Sequence, residues 1–410
     1  MMKILHTSDW HLGQVFHKYD RSAEQHDFLA QLAAIVKREQ PDAMVVSGDV
    51  YDTGAPSAAT VKMFTDGMLA IHKACPAMTI VVTAGNHDSP SRIESEQSLW
   101  QAAAGIYMIG APGRKDDGQA HYERNIIAVK RSDGTVAGYI AAVPYVNPAN
   151  FPAIADGGEE ATNRQSYYFQ HLLGAVAAIN RDDCPVVLMA HLAVTGADFT
   201  GHKQIEGLGR MGCIDTVAIS ALGTGYDYLA LGHIHRPQNV SERARYCGTP
   251  LAVSFDEQCE HSVTIATLQR HEPPVVRTVP IKNLKPLHTL PPGKPVDVEQ
   301  ALKCLEQYDD DKPGYICLNV EVESYLPGGA TARAAAIAAG KKCCFCTFKT
   351  TKTAQQVLDK QAIAYVDFKK LTPLEIASQY YKLKIGRAMN ASEIAMFNQA
   401  CQEAQNEKNT

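Results

Sequence analysis

Acids and imidazoles gather at five places in this 410-residue chain, each at the end of an apolar run: Ser8-Asp9-Trp10-His11, Gly48-Asp49-Val50-Tyr51-Asp52, Gly85-Asn86-His87-Asp88, Ala190-His191 and Gly232-His233-Ile234-His235. Asp49 is the pivot. The run from Ala43 to Val46 stops at a glycine and delivers two acids just past its end, where an open α/β sheet presents its chemistry. Oxygen and imidazole donors gathered without a thiolate suit a hard-to-borderline dication such as Mn²⁺, Fe²⁺ or Zn²⁺ better than Mg²⁺. Singly, each stretch is weak: an Asp-x-His pair near a strand end is commonly a turn with a capping acid, and Gly-Asn-His-Asp can be a tight turn. Together they supply enough ligands for two metals.

The elements that must position these residues follow from periodicity. A strand over residues 3–7 precedes Asp9. Ser22-x-x-Gln25 has capping-box spacing, and Phe28, Leu29, Leu32, Ile35 and Val36 repeat at helical spacing. A strand over 43–46, a helix over about 57–74 behind Pro56 and a strand over 79–83 repeat the unit. Strands alternating with helices predict a largely parallel, layered α/β sheet. Shorter strands are expected over 125–130 and 138–143, a helix over 164–180, and buried strands over 185–189 and 226–231 that lead to His191 and His233. Residues 282–295, rich in proline and lysine without periodicity, read as a linker. Beyond it a small α/β module is expected to about 350. Two capped helices then follow in the tail, opened by Thr372-Pro373-Leu374-Glu375 and Asn390-x-x-Glu393.

Composition bounds the function only loosely. A formal charge of −5 carries no overall basic footprint, so phosphate attraction must be local or come from bound metal. Met1-Met2-Lys3 runs straight into a strand without room for a signal-peptide core, and no run of about 18 apolar residues occurs. Eleven cysteines without paired spacing fit reduced thiols. A cytoplasmic location and no membrane association are therefore expected. A Gly-x-x-x-x-Gly-Lys-Ser/Thr loop is missing, so any nucleotide hydrolysis must come from another protein.

In this order, Asp9-x-His11, Gly48-Asp49-x-x-Asp52, Gly85-Asn86-His87-Asp88, His191 and Gly232-His233-x-His235 resemble the calcineurin-like metallophosphoesterase superfamily. Thr7 to Gly13, and Tyr246-Cys247-Gly248-Thr249-Pro250 through Ser254-Phe255-Asp256-Glu257, resemble its bacterial DNA-nuclease branch, whose archaeal and eukaryotic cousins are double-strand-break-repair nucleases. The resemblance implies a layered metallophosphoesterase β-sandwich flanked by helices over residues 1–281. It also implies a small α/β capping domain over 282–350, a linker over 351–370 and a C-terminal helical partner-binding segment over 371–410. Two divalent metal ions are implied, Mn²⁺ by preference with Mg²⁺ as the alternative. One would be held by Asp9, His11, Asp49 and His235, the other by Asp49, Asn86, His191 and His233, with Asp49 bridging. His87 would lie over the scissile phosphate. Asp52 would orient it, where many cousins carry histidine, and a carboxylate there should raise the basicity of His87. Implied activities are ATP-stimulated exonuclease action on duplex ends and endonuclease cleavage of single strands. The implied partners are DNA, including hairpins, a second copy of the chain and an ATPase with a long coiled coil.

Two rivals stand beside this reading. The same two-metal chemistry serves phosphatases, cyclic-nucleotide phosphodiesterases and nucleotidases, because it reads only a phosphoester. A catalytically silent scaffold for DNA ends is the rival from another class. The module after Pro295 opposes the first, and the full ligand set opposes the second. Asp88 reads as a structural acid tying its turn. Cys343-Cys344-x-Cys346 lacks a second ligand pair nearby and reads as small hydrophobes in a strand. Lys341, Lys342, Lys349 and Lys352 either track a duplex backbone or solvate an edge strand. His17, His26, His72, His121, His171 and His202 have no partner pattern.

Overall fold

Along the chain come β1 (Met2–Thr7), β2 (Val15–Phe16), β3 (Tyr19–Asp20), α1 (Ser22–Glu39), β4 (Ala43–Ser47), α2 (Ala58–Ala74), β5 (Thr79–Thr83), α3 (Pro90–Glu94), α4 (Gln97–Ala104) and β6 (Ile106–Ile109). Next are β7 (Ile126–Lys130), β8 (Val136–Ala142), α5 (Ala161–Ile179), β9 (Val186–His191), β10 (Tyr228–Gly232), β11 (Gln238–Asn239), β12 (Ala244–Tyr246), β13 (Ser262–Leu268) and β14 (Val275–Pro280). This computed structural model describes residues 1–147, 150–152, 161–200 and 216–352, with a few positions between 374 and 397. Met1–Val320 and Pro327–Lys349 form one compact unit, and Glu321–Leu326 with Thr350–Thr410 another.

Two six-stranded sheets build the first unit, in the orders β14-β13-β1-β4-β5-β6 and β11-β12-β10-β9-β8-β7. Strands β1, β4, β5 and β6 run parallel in the first, and β12, β10, β9 and β8 in the second. The period-two rule sorts their side chains. Met2, Ile4, Ala43, Val45 and Val81 share a central layer with Val187, Met189, Tyr228 and Ala230. Their neighbours Leu5, Met44, Val46, Ile80 and Val82 join Phe28, Leu32, Met63 and Phe64 of α1 and α2. Leu188, Ala190, Leu229 and Leu231 join Phe169 and Leu172 of α5. Burial of both faces explains why these strands read as unbroken apolar runs. Each large apolar side chain so buried contributes roughly 1.5–3 kcal/mol.

Two local expectations are corrected. Ser22 and Gln25 do not form a capping box: the N-cap is Arg21, without a side-chain cap bond, and Ser22 bonds Asp20. Gln25 instead accepts from Gly13 N at 2.9 Å and donates to the His11 carbonyl at 3.0 Å, satisfying two backbone groups of the loop from Asp9 to Gly13. Nor is 282–295 a structureless linker. Leu287–Leu290 forms β15, an edge strand parallel to β16 (Gly314–Val322), with β17 (Cys343–Lys352) on the other side. Four residues framed by Pro286 and Pro291 are too few to print a period.

Helices α6 (Val298–Glu306) and α7 (Ala330–Ala338) accompany this third sheet, and Arg333 grips Glu299 with both terminal nitrogens at 2.5 and 2.7 Å. Its core joins Tyr315, Cys317, Cys344 and Cys346 to Phe16 and Phe255, so those thiols pack as hydrophobes. Tyr315 donates to Glu24 at 2.7 Å. Lys341 donates to the Glu306 and Tyr308 carbonyls and Lys342 pairs with Asp311, so both have structural partners. In the second unit Asn390 and Glu393 cap each other reciprocally, at 3.0 and 2.8 Å. His202 and most of the expected linker and tail helices lie outside the described residues. Among the described residues no helix is long and apolar enough to cross a membrane.

Candidate metal centre

The site sits at the carboxyl ends of β1, β4 and β5 in one sheet and β9 and β10 in the other. The loops beyond them are laced together. Asp9 N donates to the Gly48 carbonyl at 2.9 Å, His11 N to the Asp49 carbonyl at 3.1 Å, His87 N to Asp49 Oδ1 at 2.8 Å and His233 N to Asp9 Oδ1 at 3.0 Å. Asp9, His11, Asp49 and His233 all take positive φ, at 53°, 45°, 49° and 97°. Such conformations cost on the order of 1–3 kcal/mol each and persist only where the surroundings enforce them. Two glycines allow the approach. Gly48 has φ +87°, and a Cβ there would stand 2.2 Å from His191 Nδ1; at Gly85 it would stand 2.1 Å from Asp49 Oδ1. Asp88 ties the turn by accepting from the amides of Val50, Tyr51 and Gly85 at 3.0, 2.9 and 2.9 Å.

The seven ligand candidates come together as two overlapping groups. Ligand atoms of Asp9, His11 and His235 lie within 4.8 Å of one another. Asn86 Oδ1 is 3.0 Å from His191 Nε2 and 2.9 Å from His233 Nδ1. Asp49 Oδ2 lies between the groups, 3.9 Å from His11 Nε2 and 3.4 Å from His191 Nε2. Ligand atoms of Asp9, Asp49 and His191 also lie within 4.8 Å of one another, and His11, Asp52 and His87 form a further cluster on the same scale.

Outer partners aim the imidazoles. His191 Nδ1 donates to the Ser47 carbonyl at 2.8 Å, which turns Nε2 toward Asp49 and Asn86. His235 Nδ1 donates to Glu257 Oε1 at 2.9 Å, and Glu257 Oε2 accepts from Thr249 Oγ1 and Val253 N. A carboxylate behind a histidine ligand fixes its tautomer and raises its basicity. Glu257 and Gln25 were not read as site residues from sequence, although Glu257 closes the Ser254 to Glu257 segment. His87 brings a refinement: its Nδ1 meets the backbone carbonyl of Asp52 at 2.9 Å, while the Asp52 carboxylate lies 3.4 Å from His11 Nδ1.

Charge balance marks this as a cation site. Burial alone would lower the His11 pKa, but the nearby Asp52 carboxylate and the charges of Asp49 and Asp9 outweigh it and raise it to about 9. His191 is likewise raised to about 9, burial being overcome by Asp49 and Asp9 and by the Ser47 carbonyl. Burial dominates at His235, which is lowered to about 3. Burial also pushes Glu257 up to about 7. Both ring nitrogens of His11 are buried without a well-formed hydrogen bond, an arrangement that is costly unless a cation takes the lone pair. The donor set fits divalent metal.

Comparison with known proteins agrees with this chemistry. Residues 2–237 match the family described as calcineurin-like phosphoesterase. The chain is similar to SbcD of the nuclease SbcCD from Rhodobacter capsulatus, with 31% identity over 312 residues, covering 75% of this chain and 76% of that one. The protein of that name from Bacillus subtilis is 34% identical over 298 residues, covering 70% and 71%. The one from Escherichia coli is 28% identical over 336 residues, covering 79% of each.

Proposed function

The chain belongs to the calcineurin-like phosphoesterase family and, within it, to the SbcD nucleases, and from that premise we propose that it hydrolyses DNA phosphodiesters at the centre described above. The observation that carries the reading is Asp49 Oδ2 lying within 4 Å of imidazoles from both ligand groups, where one carboxylate can serve two cations. Asp9, His11, Asp49 and His235 would hold one ion, and Asp49, Asn86, His191 and His233 the other. Two bound dications would polarise the phosphodiester and lower the pKa of an attacking water. Mn²⁺ suits the mixed oxygen and imidazole set better than Mg²⁺.

His87 stays outside both ligand groups. With its Nδ1–H committed to the Asp52 carbonyl, its Nε2 is the nitrogen that exchanges a proton. Charged, it would offset negative charge building on the phosphate and then protonate the departing sugar oxygen. The strained loops hold these groups in place before substrate arrives, which spares reorganisation during the reaction.

The finer assignments are part of the proposal. Residues 282–350 act as a capping domain and 371–410 dock an SbcC-type ATPase with a long coiled coil. Two copies of this chain join that partner in a cytoplasmic assembly that processes DNA ends, hairpins and single strands in repair and recombination. ATP stimulates the cutting of duplex ends. Incubating the purified chain with Mn²⁺ and end-labelled hairpin, linear duplex and single-stranded DNA tests the core of this reading. Cleavage abolished by a chelator is expected, and hydrolysis of phosphomonoesters without any DNA cleavage would overturn it.

A further inference from the structure

Beside the metal ligands lies a cavity of about 410 Å³ that runs from His11, Asp52 and His235 out to β17. That volume is near the lower end of the roughly 300–1,000 Å³ of small-molecule sites, right for one nucleotide and too small for stacked base pairs.

The cavity offers a phosphate backbone no cationic track: Asp52 and Asp256 line it, Glu257 is bonded to His235, and Lys349, the one lysine among its described lining residues, is paired with Asp256 at 3.1 Å. Its walls favour a neutral, flat guest. Phe255 contributes to the lining, packed against Phe16 at 5.3 Å between ring centroids. Phe348, half-buried and 5.2 Å from Phe345, lies on the β17 side. Gln14, Ser254 and Thr347 offer side-chain donors and acceptors along the same lining.

We propose that this cavity receives a single unstacked nucleobase, that of the nucleotide next to the scissile phosphate, against Phe255 and Phe348. The proposal rests on the nuclease reading and deepens it. Cations bound at the metal centre would hold the sugar-phosphate chain at that end while the base enters against the aromatic side chains. A base held in a duplex cannot do this, so a duplex end must lose its terminal pairing before the bond beside it is cut. A single strand needs no such step.

The test is cleavage of end-labelled single strands carrying one abasic residue, by the full chain with Mn²⁺ and with cuts mapped bond by bond. Aromatic stacking on single strands sets the scale, roughly five- to a hundred-fold per base. The wild-type chain is expected to cut the bond beside the abasic residue more slowly by that factor. Phe348→Ala should slow the same bond in the intact strand and erase the distinction between base and abasic residue, and Phe348→Trp should restore it. Equal cutting of both strands by the wild-type chain overturns the proposal whether or not the variants fold, as does full discrimination by a folded Phe348→Ala chain. A chain that hydrolyses bis(p-nitrophenyl) phosphate but cuts no strand overturns the nuclease reading and this one with it. Cutting that ignores the base overturns this one alone.

Discussion

The backbone carbonyl of Asp52 receives the Nδ1–H of His87 at 2.9 Å, while the carboxylate of the same residue stands 3.4 Å from His11 Nδ1. Main chain therefore orients the His87 imidazole, proposed to face the phosphate, and the side chain stands beside His11, a proposed metal ligand. The two roles can be separated by mutation.

His87→Ala should keep its metal content and lose turnover by roughly two to four powers of ten, the scale of a positioned acid or charge stabiliser. Asp52→Asn keeps the carbonyl and should lose far less, with a weakened metal site near His11 as its main signature. Single-turnover cleavage of a labelled strand, read beside metal analysis of each variant, checks both. A His87→Ala chain that cuts at the wild-type rate would remove His87 from the mechanism.

Asp49 touches both ligand groups and His11 only one. Asp49→Ala should lose both metal equivalents, whereas His11→Ala should mainly weaken one. Elemental analysis after dialysis against Mn²⁺ distinguishes them, and two equivalents retained by Asp49→Ala would refute the bridging assignment.

Glu257 holds His235 through a 2.9 Å bond without reaching the ligand groups itself. Glu257→Ala should weaken binding of one Mn²⁺ by roughly 10- to 100-fold, the usual loss on removing an outer partner of a histidine ligand. Glu257→Gln keeps an oxygen acceptor for the Nδ1–H and should retain most of the affinity. Titration calorimetry with Mn²⁺ provides the comparison, and equal affinity in wild type and Glu257→Ala would show that His235 needs no such partner.

Removing residues 371–410 should leave Mn²⁺-dependent cleavage of single strands intact and abolish ATP-stimulated cutting of duplex ends in the partner's presence. A helix laid into a groove is a common way for a short segment to recruit a partner. Undiminished co-purification of the truncated chain with the coiled-coil ATPase would assign the tail to this protein's own core instead.

What the sequence determined by itself was local. Ala43 to Val46, Thr79 to Thr83 and Tyr228 to Leu231 carry their apolar pattern in adjacent residues, and Asp49, Asn86, His87 and His233 follow these strands directly, so strand and site candidate are read together. Period two and period 3.6 are properties of short windows, and they placed β16 and α7 to within a residue or two. Tertiary structure decided whatever depends on a partner distant in sequence. Glu257 meets His235 from 22 residues away, Gln25 reaches the His11 carbonyl across 14, and His191 donates to a carbonyl 144 residues earlier. Gln25 had the spacing of a capping residue, yet two backbone groups of a strained loop, one of them the buried His11 carbonyl, took precedence over the helix end, because an unmade buried hydrogen bond costs more than an exposed one. Leu287–Leu290 became a strand because β16 offered a parallel edge to pair with, an incentive that no four-residue window contains.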